Sequence, residues 1–118
     1  MNLLLRHAVT TVLAAGALFS FLVHAEILTG RIVGISDGDT VTLLDSSKRQ
    51  YKIRLTGIDA PEKKMPFGQR SKEHLSDLVF NKNVQVETEK LDRYGRTLGK
   101  ILLDRNDINL AMINAGLA

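Results

Sequence analysis

"QYKIRLTGIDAPEKKMPFGQRSKEHLSDLVF", residues 50–80, changes its period partway along. At its start apolar residues fall at every second position. Tyr51, Ile53 and Leu55 share one face and Lys52, Arg54 and Thr56 the other, which predicts a half-buried strand from Gln50 to Gly57. From Gly68 the spacing lengthens: Leu75, Leu78 and Val79 recur at helical intervals while Arg70, Lys72, Glu73 and Asp77 take the polar side, predicting an amphipathic helix to about Phe80. His74 lies beside Glu73 on or near that polar side and reads as a solvated histidine. Between strand and helix, Asp59 and Glu62 stand either side of Ala60-Pro61. Pro61 fixes its own φ and biases Ala60 towards extended geometry, so a stiff backbone aims both carboxylates.

The flanking segments extend this pattern. Upstream, Ile27 to Ser36 is rich in β-branched residues, Asp37-Gly38 marks a tight turn, and Thr40 to Leu43 alternates again. With a second turn at Asp45-Ser46-Ser47, the chain opens as a three-stranded meander. Downstream, Asn81 to Asn83 turns into a fourth strand, Val84 to Glu87, and Thr97 to Leu103 makes a fifth. Asp107 is a cap for a last helix carrying Ile108, Ala111, Met112 and Ala115, with Gly116 as its stop. The expected fold is mainly β with α: a five-stranded Greek-key barrel of the OB type, with one helix between strands 3 and 4 and another at the C-terminus. A sandwich of similar length is the alternative. The inserted helix favours the barrel, whose open end it plugs.

The sequence has 118 residues, no internal repeat and no Ser/Pro-rich linker, so one domain is expected. Residues 1–25 read as a signal peptide. Arg6 and His7 precede sixteen mostly apolar residues, Ala8 to Val23, and Val23-His24-Ala25 supplies a peptidase site with cleavage after Ala25. A membrane anchor is the competing reading, but the run falls short of the ~20 residues that span a bilayer. The expected product is secreted or periplasmic, a monomer with no stable membrane insertion and no implied protein partner, its domain spanning 26–118. Without Arg6 the balance is 15 basic against 13 acidic residues, a mild excess that permits a polyanionic partner without demanding one. Residues 26–118 hold no cysteine and one histidine, His74, which excludes a thiol nucleophile, a disulfide, a Cys/His zinc site and a multi-histidine centre. A metal here would be bound by oxygen, as Ca²⁺ or Mg²⁺ is.

Candidate chemistry gathers at three places. Under strict alternation Asp39 shares the buried face of Val41 and Leu43, where an ionised carboxylate needs a positive partner; otherwise it merely ends the turn. An EF-hand loop from Asp37 is excluded, because Val41 falls at the fifth position and Lys48 where a bidentate Glu is required. Strand pairing would bring Asp39 to Asp59 as two hard oxygen ligands, with Glu62 a short turn farther on to orient a water. A charged, solvated loop around Pro61 is the plainer alternative. In "LDRYGRTLGK", Tyr94-Gly95 reads as a turn and Arg96 as the start of strand 5, where its guanidinium could project towards the same barrel mouth as Arg54. Two planar forks beside a metal suit a phosphodiester, since each can hold phosphate oxygens and offset transition-state charge.

Taken in order, "SDGDTVTL", "IRLTGIDAPE", "DRYGRTLGKI" and "INLAMINAGLA" resemble the staphylococcal (micrococcal) nuclease-like family, the thermonucleases, across nearly all of Ile27 to Ala118. The resemblance implies an OB-fold enzyme that uses Ca²⁺ to hydrolyse DNA and RNA with little sequence preference and leaves 3′-phosphate ends. By it Asp39 and Asp59 match calcium ligands, the carbonyl of Ala60 a backbone ligand, and Arg54 and Arg96 the catalytic arginines. Glu62 matches a carboxylate assigned either as general base or as organiser of water and arginine. Arg93 and Tyr94 match positions lining the nucleotide pocket. Two departures stand out: the founder carries a hydroxyl residue where Ala60 stands, and the family chain continues into a further helix and an aromatic pocket residue where this one stops, as a fragment would. Lys63 and Lys64, with Lys90 and Arg93, are expected to form a basic rim that guides and binds the substrate, the plainer alternative being scattered solubilising lysines. The rival from another class is a non-catalytic OB module for single strands, which would need several exposed rings. Tyr51 and Phe80 read as core, leaving only Phe67 and Tyr94 for that purpose. A Ca²⁺-stabilised structural domain is a third reading, and it gives Arg54 and Arg96 no role.

Overall fold

The computed structural model describes residues 26–118, so the signal peptide expected over residues 1–25 lies outside the described residues. Strands β1 (Glu26–Asp37), β2 (Thr40–Leu44) and β3 (Gln50–Leu55) form the expected meander. Helix α1 (Gly68–Val79) follows, then β4 (Asn83–Leu91), β5 (Thr97–Leu103), the two-residue β6 (Asn106–Asp107) and helix α2 (Ile108–Asn114). The sheet order is β3-β2-β1-β4-β5-β6, and β3 also pairs in parallel with β5. That last pairing joins the two ends of the sheet into a closed five-stranded barrel with two helices, the OB-type architecture expected. β1 makes closure possible. It pairs with β4 through residues 26–31 and with β2 through residues 31–37, and register shifts at Ile32/Gly34 and Ile35/Asp37 let it bend from one partner to the next.

Inward alternation fills the barrel with Ile32, Val41, Leu43, Ile53, Leu55, Val86 and Ile101, and α1 closes one end with Leu75 and Val79. α2 starts as expected, the Asp107 carboxylate accepting from the Leu110 N–H at 2.9 Å. It ends at Gly116, which has φ 72°; the Gly116 N–H bonds Ile113 O and the Leu117 N–H bonds Met112 O, a Schellman stop. Two expectations need correction. β4 runs to Leu91 because it has partners on both edges, β1 and β5, and Thr88 continues the inward set of Val84 and Val86. Phe80 is not core. The helix ends at Val79 and Phe80 turns extended, at φ −59° and ψ 132°, which takes its ring off the apolar stripe and leaves it 49% exposed. Among the described residues no helix is long and apolar enough to cross a membrane.

Candidate active site

The barrel seam assembles the site. In the β2–β3 register Thr40 lies opposite Arg54, and in the β3–β5 register Arg54 lies opposite Leu98, two residues beyond Arg96. Asp39 therefore enters beside the end of β3, where its carbonyl accepts from the Leu55 N–H at 2.8 Å. Of the two readings of Asp39, the structure supports the buried one: the residue is 6% exposed. Its Oδ1 accepts from the Thr40 hydroxyl at 3.0 Å and its Oδ2 from the Ala60 N–H at 3.0 Å. Burial pushes the Asp39 carboxyl above its usual range and the adjacent Asp37 adds to the rise, while the Ala60 N–H and the Arg54 charge pull the other way without cancelling it.

Arg54 is held by its backbone surroundings more firmly than by its acidic neighbours. Nη1 donates to the carbonyls of Leu55 and Ile58, both at 2.9 Å. Nη2 lies 3.3 Å from Asp39 Oδ2 and 3.3 Å from Asp59 Oδ1, long for charge-assisted contacts. Asp59 keeps its carboxylate almost wholly in solvent. Asp39, Arg54 and Asp59 thus form one cluster, with the Ala60 backbone bonded to it.

On the other side of Arg54 an open cleft of about 530 Å³ is lined by Arg54, Gly57, Glu89, Arg93, Tyr94 and Arg96, among others. Here the structure adds a residue that sequence reasoning passed over. Asp92 organises the β4–β5 turn: Oδ1 accepts from the Tyr94 and Arg96 N–H groups at 2.9 Å each, and Oδ2 accepts from Arg96 Nε at 2.7 Å. An Asx turn ahead of Tyr94-Gly95 was the available signal. Loss of hydration works against its ionisation, but the hydrogen bonds from Arg96 and Tyr94 prevail and hold the Asp92 carboxyl below its usual range. Arg96 is thereby fixed through Nε alone, and its Nη groups make no hydrogen bond among the described residues. Tyr94 is 68% exposed, with the Arg93 and Arg96 guanidiniums 5.1 and 5.4 Å from its ring centre.

Glu62, Lys63 and Lys64 are exposed on the turn after Pro61 and are not among the residues lining the cleft. Among the described residues no three His, Cys, Asp or Glu side chains converge on a common point. The donor set nevertheless suits a hard cation. Asp39 and Asp59 offer carboxylate oxygens with unused acceptor capacity, and burial leaves the Asp39 charge incompletely compensated.

Comparison with known proteins identifies the family. Residues 52–118, a stretch that includes Arg54, Asp59, Glu62 and Arg96, match the family described as Staphylococcal nuclease homologue. An uncharacterized endonuclease of Haemophilus influenzae is 50% identical over 90 residues, covering 76% of this chain and 51% of that protein. An uncharacterized endonuclease of Escherichia coli is 42% identical over 102 residues, covering 86% and 66%. A micrococcal nuclease of Shigella flexneri is 39% identical over 98 residues, covering 75% and 56%. The chain spans about half to two-thirds of the length of these curated relatives. On the family match and the closed barrel together, the chain belongs to the staphylococcal nuclease homologue family.

Proposed function

We propose that the protein is a Ca²⁺-dependent nuclease that hydrolyses phosphodiester bonds of DNA and RNA with little sequence preference, leaves 3′-phosphate ends and acts outside the cytoplasm. One observation carries the reading: Arg54 and Arg96 line one cleft, and each guanidinium is held in advance by the protein. Arg54 is tied through Nη1 to two carbonyls and Arg96 through Nε to Asp92; both Nη groups of Arg96 are left for a ligand, and Nη2 of Arg54 has only its two 3.3 Å contacts, to Asp39 and Asp59, to exchange for one. Phosphate oxygens match these donors. An arginine held in advance loses little freedom when charge develops on the phosphorus, so it stabilises the transition state more than the ground state.

Asp39, Asp59 and the Ala60 carbonyl would hold the cation; Ca²⁺ bound there supplies Lewis acidity towards a phosphate oxygen. With two carboxylates the affinity should be weak, roughly 10⁻⁴ to 10⁻³ M, as in extracellular modules. Arg54 would give up its long contacts to the carboxylates for the phosphate, Glu62 would align the attacking water, and Tyr94 with Arg93 would hold the nucleotide. Lys63 and Lys64 extend the positive surface along the strand. The reading is tested by release of acid-soluble nucleotides from single-stranded DNA and from RNA, with Ca²⁺ and then with chelator, beside Arg54→Ala. Cleavage that needs Ca²⁺ and fails in the variant supports it. A folded protein that binds strands without cutting them would replace it with a non-catalytic OB module.

A further inference from the structure

We propose that Phe67, at the start of α1, is a stacking platform for an unpaired nucleobase of the bound strand, with Lys63, Lys64 and Arg70 taking the flanking phosphates; this rests on the nucleic-acid reading above. Phe67 occupies the N-cap position in a left-handed conformation, φ 65° and ψ 0°, and supplies no side-chain cap. An aromatic residue is a poor choice there for stability, since Asn or Asp would tolerate the conformation and cap the helix as well. Nor does the ring contribute to the core. It is 62% exposed even with the Arg70 guanidinium 5.8 Å from its centre, and Met65 beside it is 57% exposed. Strain retained at an exposed aromatic is expected where the ring contacts a ligand.

The position of the ring fits that ligand. A Cβ on Gly68 would overlap the Glu62 carbonyl, so the loop from Glu62 to Phe67 is drawn tightly back on itself. One turn along α1, Ser71 packs on Gly38, where an added Cβ would overlap Ser71 Oγ and lie 2.9 Å from Ala60 Cβ. The platform therefore stands one helical turn from the backbone that carries Asp39 and Ala60. Lys63, Lys64 and Arg70 form no ion pair among the described residues. The nearby acids are Glu62 and Glu73, the latter accepting from Gln69 at 3.3 Å. Arg70 at the ring and Lys63 and Lys64 on the same short exposed loop complement a polyanion that offers a flat apolar face at each step, whereas a protein partner would need a wider apolar area.

The sequence contains no tryptophan, so Phe67→Trp places a single reporter on the platform. With chelator present to prevent cleavage, oligothymidylate should quench its emission, and an abasic strand of equal length and charge should not. Phe67→Gly removes the ring and suits the positive φ, so the fold is not put at risk. It should weaken oligothymidylate binding about 5- to 100-fold and leave the thermal midpoint unchanged or higher. Equal quenching by the two strands, or unaltered binding by Phe67→Gly, overturns the platform. Cleavage without base-dependent quenching sinks the platform and leaves the nuclease standing; base-dependent quenching without cleavage does the reverse.

Discussion

Arg54 donates through Nη1 to two carbonyls and lies between two carboxylates through Nη2, so a substitution there acts on catalysis and on stability together. Arg54→Ala leaves Asp39 buried without its cation, which should cost about 3 kcal/mol as well as lowering cleavage a hundredfold or more. Arg54→Lys separates the two effects. An ammonium restores a positive charge beside Asp39 but lacks the planar fork that binds the carbonyls through one nitrogen and offers another to phosphate. Urea unfolding should therefore show most of the stability recovered in Arg54→Lys while nucleotide release stays at the level of Arg54→Ala. Equal activity of Arg54→Lys and the unmodified protein would show that the fork is not what the reaction uses. Two of the three members of this cluster were legible in sequence for local reasons: Pro61 stiffens the chain after Asp59, and alternation placed Arg54 on the polar face of β3. Asp39 was ambiguous, because a turn residue and a buried residue look alike until the β2–β3 register puts Thr40 opposite Arg54.

The β4–β5 turn behaves as a unit because the Asp92 carboxylate receives two backbone N–H groups and the Arg96 Nε. Asp92→Ala removes all three bonds, so Arg96 loses its anchor and the turn keeps only its backbone closure, Asp92 N–H to Arg96 O and Gly95 N–H to Asp92 O. Cleavage should fall at least tenfold, mainly in kcat, with Ca²⁺ dependence unchanged. A pH series identifies the cause. The Asp92 carboxyl is held below its ordinary value of 3.8 in the folded state, so its stabilising contribution is complete above that pH and lost as pH falls through the folded value. The stability gap between the unmodified protein and Asp92→Ala should thus stay constant near neutrality and close below about pH 3.8. A gap that persisted in strong acid would mean the turn is held by something other than the ionised carboxylate. Elements with a clean local period were legible: β5 runs from Thr97 to Leu103 as its alternation indicates, and α1 begins at Gly68 where the spacing changes. What escaped depended on distant partners. β6 exists only through its pairing with β5, and the place of Phe80 was decided by where the helix stopped.

At the scale of the whole molecule, the parallel β3–β5 pairing is where the barrel closes, and Asn109 is the side chain that ties α2 to it. Asn109 is 4% exposed, and its Nδ2 donates to Thr56 O at 2.8 Å and Gly99 O at 3.2 Å while its Oδ1 accepts from the Ile101 N–H at 3.1 Å. Thr56 follows β3 directly and its own N–H bonds Gly99 O at 2.9 Å, so helix, seam and the segment leading from Arg54 to Asp59 share one network. Nothing in the sequence marks Asn109 among the apolar residues of α2, because its three partners are backbone groups outside the helix, set by tertiary packing. Asn109→Ala would leave the buried Ile101 N–H and the Thr56 carbonyl short of partners, while Gly99 O keeps the Thr56 N–H, at a cost of about 2 kcal/mol, which for a domain of this size lowers the thermal midpoint by roughly 8 to 16 °C. Asn109→Asp tests whether the network needs donors or merely bulk. It keeps the shape and the acceptor but offers nothing to Thr56 or Gly99, and burial opposes its charge, so it should be at least as damaging as Ala near neutral pH. Leu110, the next residue on α2 and 50% exposed, provides the control, since Leu110→Ser should change stability by no more than about 0.5 kcal/mol. If Asn109→Ala melted with the unmodified protein, closure would rest on the strand pairing alone. A large loss instead ties the geometry around Arg54 to a helix that never touches the cleft.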